Sequence, residues 1–202
     1  MSNKLKIAVV IGSTRDSRFA DKPAQWIADL ARQRPDLDVE LVDLRDFDLP
    51  LFNEVASNAW VPSQDPRAVA WQKKIGEFDG YIFTVAEYNR SITGALKNAL
   101  DQAYVEWGRK PAAAIGYGTV GAARAVEHLR NIAVELQMVP VRSAVHIGGS
   151  EFYTVYSGGS NQPMSAIEGA IANSAKDMLD QLSWWGHATK DAREAQVAQA
   201  AE

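Results

Sequence analysis

The run Gly80-Tyr81-Ile82-Phe83-Thr84-Val85 is rich in aromatic and β-branched residues and too short for a helix. It stops at the polar turn Glu87-Tyr88-Asn89-Arg90-Ser91, and apolar residues then recur at helical spacing from Ile92 to Leu100. A strand that is apolar on both faces and feeds straight into an amphipathic helix is half of a βαβ unit. Such strands need a parallel sheet with helices covering it. The turn would lie at the carboxyl end of its strand, where open α/β sheets hold their ligands.

The same alternation runs along the chain. Lys6–Ile11 reads as a first strand ending at Gly12, and Val39–Leu44 as a second. Ala112–Ile115 reads as a fourth strand and Val139–Ile147 as a fifth. Phe19, Pro23, Trp26, Ile27 and Leu30 form a helical stripe, and Asp21-Lys22-Pro23 suits its start. Further helices are expected over Arg67–Gly76, Ile92–Leu100, the stripe Ala122, Val126, Leu129, Ala133 and Leu136, and the stripe Ile167 to Trp185. Arg45–Pro66 reads as a long connection or ordered flap, and the Gly/Ser/Tyr-rich Gly148–Met164 as a loop. Right-handed crossovers between five such units predict a three-layer α/β sandwich with strand order 2-1-3-4-5. One domain is expected over residues 1–187, followed by an Ala-rich polar tail, residues 188–202, helical or disordered.

Composition narrows the function classes. The 202 residues suffice for one sizeable core, and the net charge of −4 gives no support for nucleic-acid binding. The absence of cysteine excludes disulfides, thiolate catalysis and Cys-based metal sites. His128, His146 and His187 are too scattered for a metal motif, and neither H-E-x-x-H nor G-x-S-x-G occurs. No apolar run approaches the ~20 residues of a membrane span, and a signal-peptide layout is lacking. A cytoplasmic protein with neither membrane nor nucleic-acid partners is expected.

Three strand-to-helix loops carry chemistry. In the first, Gly12 allows close backbone approach to an anion and Ser13, Thr14 and Ser17 offer hydroxyls. Arg15 and Arg18 offer charge-assisted forks, and the next helix N-terminus adds a positive dipole end. The loop lacks the Gly-Lys-Ser/Thr ending of a P-loop. In the second, Glu87, Tyr88 and Asn89 supply polar groups and an aromatic face, while Ser91 suits either a ligand contact or a helix cap. The third, Gly116-Tyr117-Gly118-Thr119-Val120-Gly121, satisfies G-x-G-x-x-G. It follows the fourth strand rather than the first, and the acid some twenty residues on, Glu135, falls inside a helix. Dinucleotide binding of the Rossmann kind is therefore disfavoured.

These loops, in this order, resemble those of the NADPH-dependent FMN reductase family, whose fold is flavodoxin-like. The resemblance rests on Gly12-Ser13-Thr14-Arg15 and on Glu87-Tyr88-Asn89 with Ser91, Leu96, Lys97, Asn98 and Asp101. Glu106-Trp107, Lys110-Pro111 and Gly121 to Arg130 extend it, so that it covers roughly residues 5–187. It departs at Ala86, where the family usually has proline. The resemblance implies an FMN-dependent enzyme taking NADPH or NADH as co-substrate and reducing a small-molecule acceptor: a quinone, free flavin, azo dye or chromate. It implies that Ser13, Thr14, Arg15, Ser17 and Arg18 hold the FMN phosphate. Glu87, Tyr88, Asn89, Ser91, Tyr117 and Gly118 would flank the ring. No residue is singled out as catalytic, because the flavin carries the redox chemistry. The other reading kept open is a flavodoxin-type one-electron carrier without NAD(P)H turnover. A homodimer or homotetramer is implied, with Tyr104, Trp107, Phe152, Tyr153 and Tyr156 as candidate contact aromatics. Trp184-Trp185 is expected in the core or at a subunit contact.

Overall fold

The computed structural model describes residues 4–200. Its strands are β1 (Leu5–Ile11), β2 (Leu37–Asp43), β3 (Gly80–Ala86), β4 (Pro111–Tyr117), β5 (Val139–Pro140) and β6 (Val145–Ile147). Its helices are α1 (Asp21–Arg32), α2 (Pro66–Gly76), α3 (Gly94–Asp101), α4 (Ala123–Glu135), α5 (Gly149–Val155) and α6 (Glu168–Ala200). The parallel sheet runs β2-β1-β3-β4-β5, with β6 also pairing β4, so the order expected from the sequence is observed.

Strand alternation explains the three layers. Leu5, Ile7, Val9 and Ile11 of β1 and Ile82 of β3 face the core shared with α1 and α6. Ala8 and Val10, with Tyr81, Phe83 and Val85, face the core shared with α2, α3 and α4. Buried aromatics knit the second core: Trp71, Tyr81 and Phe83 all pack around Trp107 with ring centroids 4.8–6.0 Å away. Trp107 is therefore fully buried, with its Nε1 donating to Leu100 O at 3.1 Å. It is not a subunit-contact residue. Trp184 and Trp185, by contrast, form an edge-to-face pair on the surface rather than in the core.

Two loop expectations are corrected. The fifth strand is broken: Val139 N and Val141 N still bond Lys110 O and Ala112 O, each at 2.9 Å, but the chain then loops out at Arg142 and Ser143 before β6. Arg130 of α4 and Gln181 of α6 hold that loop. The Gly148–Met164 segment is not all loop, since α5 forms inside it. Lys22 of α1 fixes the far end of α5 by donating to Val155 O and Asn161 Oδ1 at 2.8 and 2.7 Å.

At the amino end of the sheet, α6 runs on as one helix to Ala200, where Lys190 and Arg193 both pair with Asp79 at 2.9 Å. Ala201 and Glu202 of the expected tail lie outside the described residues. Among the described residues no helix is long and apolar enough to cross a membrane.

Candidate active site

The carboxyl ends of β1, β3 and β4 open into a cleft of about 340 Å3. Ser13, Arg15, Ser17 and Arg18 line it from the first loop, Glu87 and Tyr88 from the second, and Tyr117 and Gly118 from the third. Thr14, Asn89 and Ser91 stand outside its lining. The volume lies within the range of small-ligand sites.

The first loop is pinned from behind. Gly12 N donates to Thr84 Oγ1 at 3.2 Å, and Gly12 O accepts from Thr93 Oγ1 at 2.5 Å. A Cβ at Gly12 would stand 2.4 Å from Thr84 O, so glycine is required here by contact with β3. Thr93 also caps α3, accepting from Leu96 N at 3.0 Å, so the cap is not Ser91.

The two arginines have different environments. Arg18 is 5% exposed, binds Asp43 in a two-pronged fork and also pairs with Asp21. Its Nη1 donates to Ser13 O at 2.9 Å as well. The bond to Asp43 raises the Arg18 pKa. Burial pushes the Asp43 carboxyl up, but hydrogen bonds from Arg18 and Arg45 outweigh it and the net shift is down. Arg15 meets the hydroxyls of Tyr88 at 3.3 Å and Ser17 at 3.4 Å, and its guanidinium lies 5.8 Å from the Tyr88 ring centroid. Its guanidinium is thus a cation at the cleft that pairs with no carboxylate among the described residues.

The second loop is a two-residue hairpin. Tyr88 and Ser91 exchange backbone hydrogen bonds of 2.9 and 3.0 Å, with Asn89 and Arg90 at φ +51° and +70°. Ala86, the departure from the family proline, ends β3 in register with Tyr117, so the loop starts only at Glu87. Lys97, Asn98 and Asp101 point to structure rather than chemistry. Lys97 pairs with Asp101, and Asn98 holds the long connection through Pro50 O and Phe52 N, each at 2.8 Å.

The glycines of the third loop are explained by packing. A Cβ at Gly116 would lie 2.4 Å from Gly121 O, and one at Gly121 would press on His146 Cβ at 3.0 Å. Gly118 adopts φ +131°. Glu135 ends α4, inside the helix as the sequence placed it. Burial pushes the Tyr117 phenol up, so it stays protonated and able to donate.

An aromatic wall completes the cleft. Phe19, Phe152, Tyr153 and Tyr156 line it beside Tyr117. Phe19 packs edge-on against Tyr117 and Phe152 at 5.2 and 5.4 Å, and Phe152 stacks on Tyr156 at 4.9 Å. Tyr153 stays 54% exposed. Gly158 and Gly159 let the chain fold tightly under this wall, since a Cβ on either would strike Tyr156 or the Tyr153 backbone. The sequence offered these aromatics as subunit contacts. Their i, i+4 spacing at 152 and 156 was the signal for a short helix with one aromatic face.

The donor set suits a flavin mononucleotide: hydroxyls and an acid-free guanidinium at one end, aromatic and glycine-bounded surface at the other. The fold is flavodoxin-like, with the cleft at the carboxyl ends of β1, β3 and β4. The NADPH-dependent FMN reductase family matches residues 5–151. The NAD(P)H-dependent FMN reductase ntnL of Nectria sp is 32% identical over 88% of this chain and 93% of its own. The 2-hydroxy-1,4-benzoquinone reductase of Burkholderia sp is 38% identical over 67% and 73%. Among solved structures, the flavoenzyme NAD(P)H:(acceptor) oxidoreductase FerB from Paracoccus denitrificans superposes with a TM-score of 0.69 at 26% identity, covering 92% of this chain and 98% of that one. The chain therefore belongs to the NADPH-dependent FMN reductase family and is an NAD(P)H-dependent oxidoreductase of that type.

Proposed function

We propose that the cleft is the FMN site, with the phosphate held by Ser13, Thr14, Arg15 and Ser17 on a loop that Arg18 braces. Tyr88, Asn89, Tyr117 and Gly118 serve the ring end, and Glu87 and Ser91 set the loop that carries Tyr88. When bound there, FMN would supply the hydride chemistry between NADPH or NADH and a second substrate. The chain's own residues bind, orient and shield; burial keeps Tyr117 a neutral donor. The acceptor is a small planar molecule of the quinone kind. The wall of Phe152, Tyr153 and Tyr156 supports this, as does the likeness to a benzoquinone reductase.

The observation that carries the reading is Arg15, a cleft cation that meets two hydroxyls and the Tyr88 ring and, among the described residues, no carboxylate. An absorbance spectrum after FMN reconstitution, before and after anaerobic NADPH, tests it. Flavin bands that bleach within seconds are expected. An Arg15→Ala variant with an unchanged FMN dissociation constant would sink the phosphate assignment.

The active form is a homodimer or homotetramer in the cytoplasm. Exposed Leu51, Val55 and Trp60 on the connection after β2 supply an apolar contact surface. Light scattering showing only monomer at micromolar concentration would refute the assembly. Residues 1–187 form the FMN-binding unit, so a chain ending at His187 should bind FMN. Its stability should drop, because Asp79 loses Lys190 and Arg193.

A further inference from the structure

Helix α4 starts without a cap of its own. Its capping position is Ala122, which sits at φ +52° and has no side-chain acceptor to offer. The acceptor comes instead from the second loop. Glu87 Oε2 accepts from Ala125 N at 3.4 Å, and Glu87 Oε1 accepts from Arg124 Nε at 2.5 Å. The Glu87 side chain is only 7% exposed, so this carboxylate is turned into the protein rather than presented to the cleft. A carboxylate at a helix N-terminus is favoured both by the free N–H groups and by the helix dipole.

One turn further along α4, His128 Nδ1 lies 2.7 Å from Ser91 Oγ. Arg124 and His128 are four residues apart and so share one face of the helix. That face therefore grips both ends of the hairpin, Glu87 at its entry and Ser91 at its exit. Between them Asn89 and Arg90 occupy left-handed backbone, a conformation asparagine tolerates and arginine adopts rarely. The backbone pair between Tyr88 and Ser91 closes this turn, and the two grips fasten it to α4.

We infer that Glu87–Arg124 and Ser91–His128 form a latch that fastens the ring-edge loop to α4, and that His128 is a positioning residue for flavin binding. The inference rests on the proposed FMN site. Within it, Tyr88 and Asn89 are set for the ring by α4, while the backbone at Gly12 is pinned by Thr84 and Thr93; Arg15 joins the two loops through Tyr88 Oη at 3.3 Å. Loss of the latch should then weaken a flavin that lacks the phosphate as well as FMN.

The test compares FMN with riboflavin, which lacks the phosphate, by fluorescence titration of the full chain well below its melting temperature. In His128→Ala both dissociation constants should rise by about 3- to 10-fold, the size of one lost hydrogen bond. The bound-flavin absorbance bands should shift as well. His128→Asn, which can still bond Ser91, should recover most of the affinity. Ser91→Ala combined with His128→Ala should be no worse than either alone, because one interaction has been lost. Glu87→Gln keeps an acceptor for Ala125 N and loses the ion pair, so it should weaken both ligands more mildly than Glu87→Ala. Unchanged dissociation constants and spectrum in His128→Ala, with the parent still binding FMN, would overturn the latch. Weaker FMN binding with riboflavin binding unchanged would also overturn it, because the latch holds the ring-edge loop. Failure of the parent itself to bind FMN would instead refute the proposed function.

Discussion

Gly12→Ala separates two reasons for a glycine at the end of β1. If glycine serves only to let the backbone approach an anion, the apo protein is indifferent to a methyl group there. In the structure the methyl group meets β3 first. Its Cβ would lie 2.4 Å from Thr84 O and 3.1 Å from Leu96 Cδ2, where ordinary contact begins at 3.4 Å. The β1 end must therefore withdraw by roughly 1 Å, a strain of the overpacking kind worth about 1–3 kcal/mol. The same withdrawal stretches the bonds from Gly12 N to Thr84 Oγ1 and from Thr93 Oγ1 to Gly12 O. Losing one of these buried bonds adds about 1–3 kcal/mol. Stiffening of the unfolded chain returns about 0.4–1 kcal/mol. The expected net loss is about 2–4 kcal/mol, a large share of the ~5–15 kcal/mol that holds a domain together. Urea unfolding of the apo protein measures it, and FMN titration of the same variant should show weaker binding as loop 1 shifts. Apo stability within about 0.5 kcal/mol of the parent, with FMN affinity reduced, would refute the packing argument and restore the anion one.

Four further outcomes are expected. Arg18→Ala should lower apo stability by about 1–2 kcal/mol in thermal unfolding, less than for a fully buried pair because Asp21 is half exposed; Arg15→Ala should leave apo stability alone and weaken FMN only. Trp107→Ala should cost about 3–5 kcal/mol in urea unfolding, as for any fully buried Trp, and leave the assembly size seen by light scattering unchanged. Asp36 is held at a pKa of about 2 by Arg34, against some burial and with help from Ser183. The unfolded state then binds the proton first as pH falls, so this carboxylate stabilises above about pH 4 and that stability is lost towards pH 2. Melting temperatures of Asp36→Asn should fall less steeply than the parent's across that window. Tyr153→Ala should raise KM for a planar quinone with little change in FMN affinity, since Tyr153 is the most exposed aromatic of the wall; equal KM values would remove it from the acceptor surface.

Several features were legible because they are local. The apolar strand runs of Lys6–Ile11 and Gly80–Val85 are written in neighbouring residues. From them the sheet order follows, since crossovers have one hand and short connections few alternatives. The three ligand loops followed too, because strand ends mark the carboxyl edge of a parallel sheet. The aromatic pair at 152 and 156 was also a local signal, but the Gly/Ser composition spoke more strongly for a loop.

What the chain order alone could not assign was which of two similar cleft side chains is paired with a carboxylate. Arg15 and Arg18 look alike in sequence; Asp43, 25 residues away from Arg18, takes one and leaves the other. Gly12 looks like an anion-loop glycine until Thr84 and Thr93, 72 and 81 residues on, close around it. Glu87 and Ser91 read as ligand contacts until α4, with Ser91 and His128 37 residues apart, supplies their partners. The sequence determined the elements and their order, because backbone periodicity is a short-range property. The tertiary structure decided the roles of the site residues, because burial and charge pairing depend on groups that meet only when the sheet has formed.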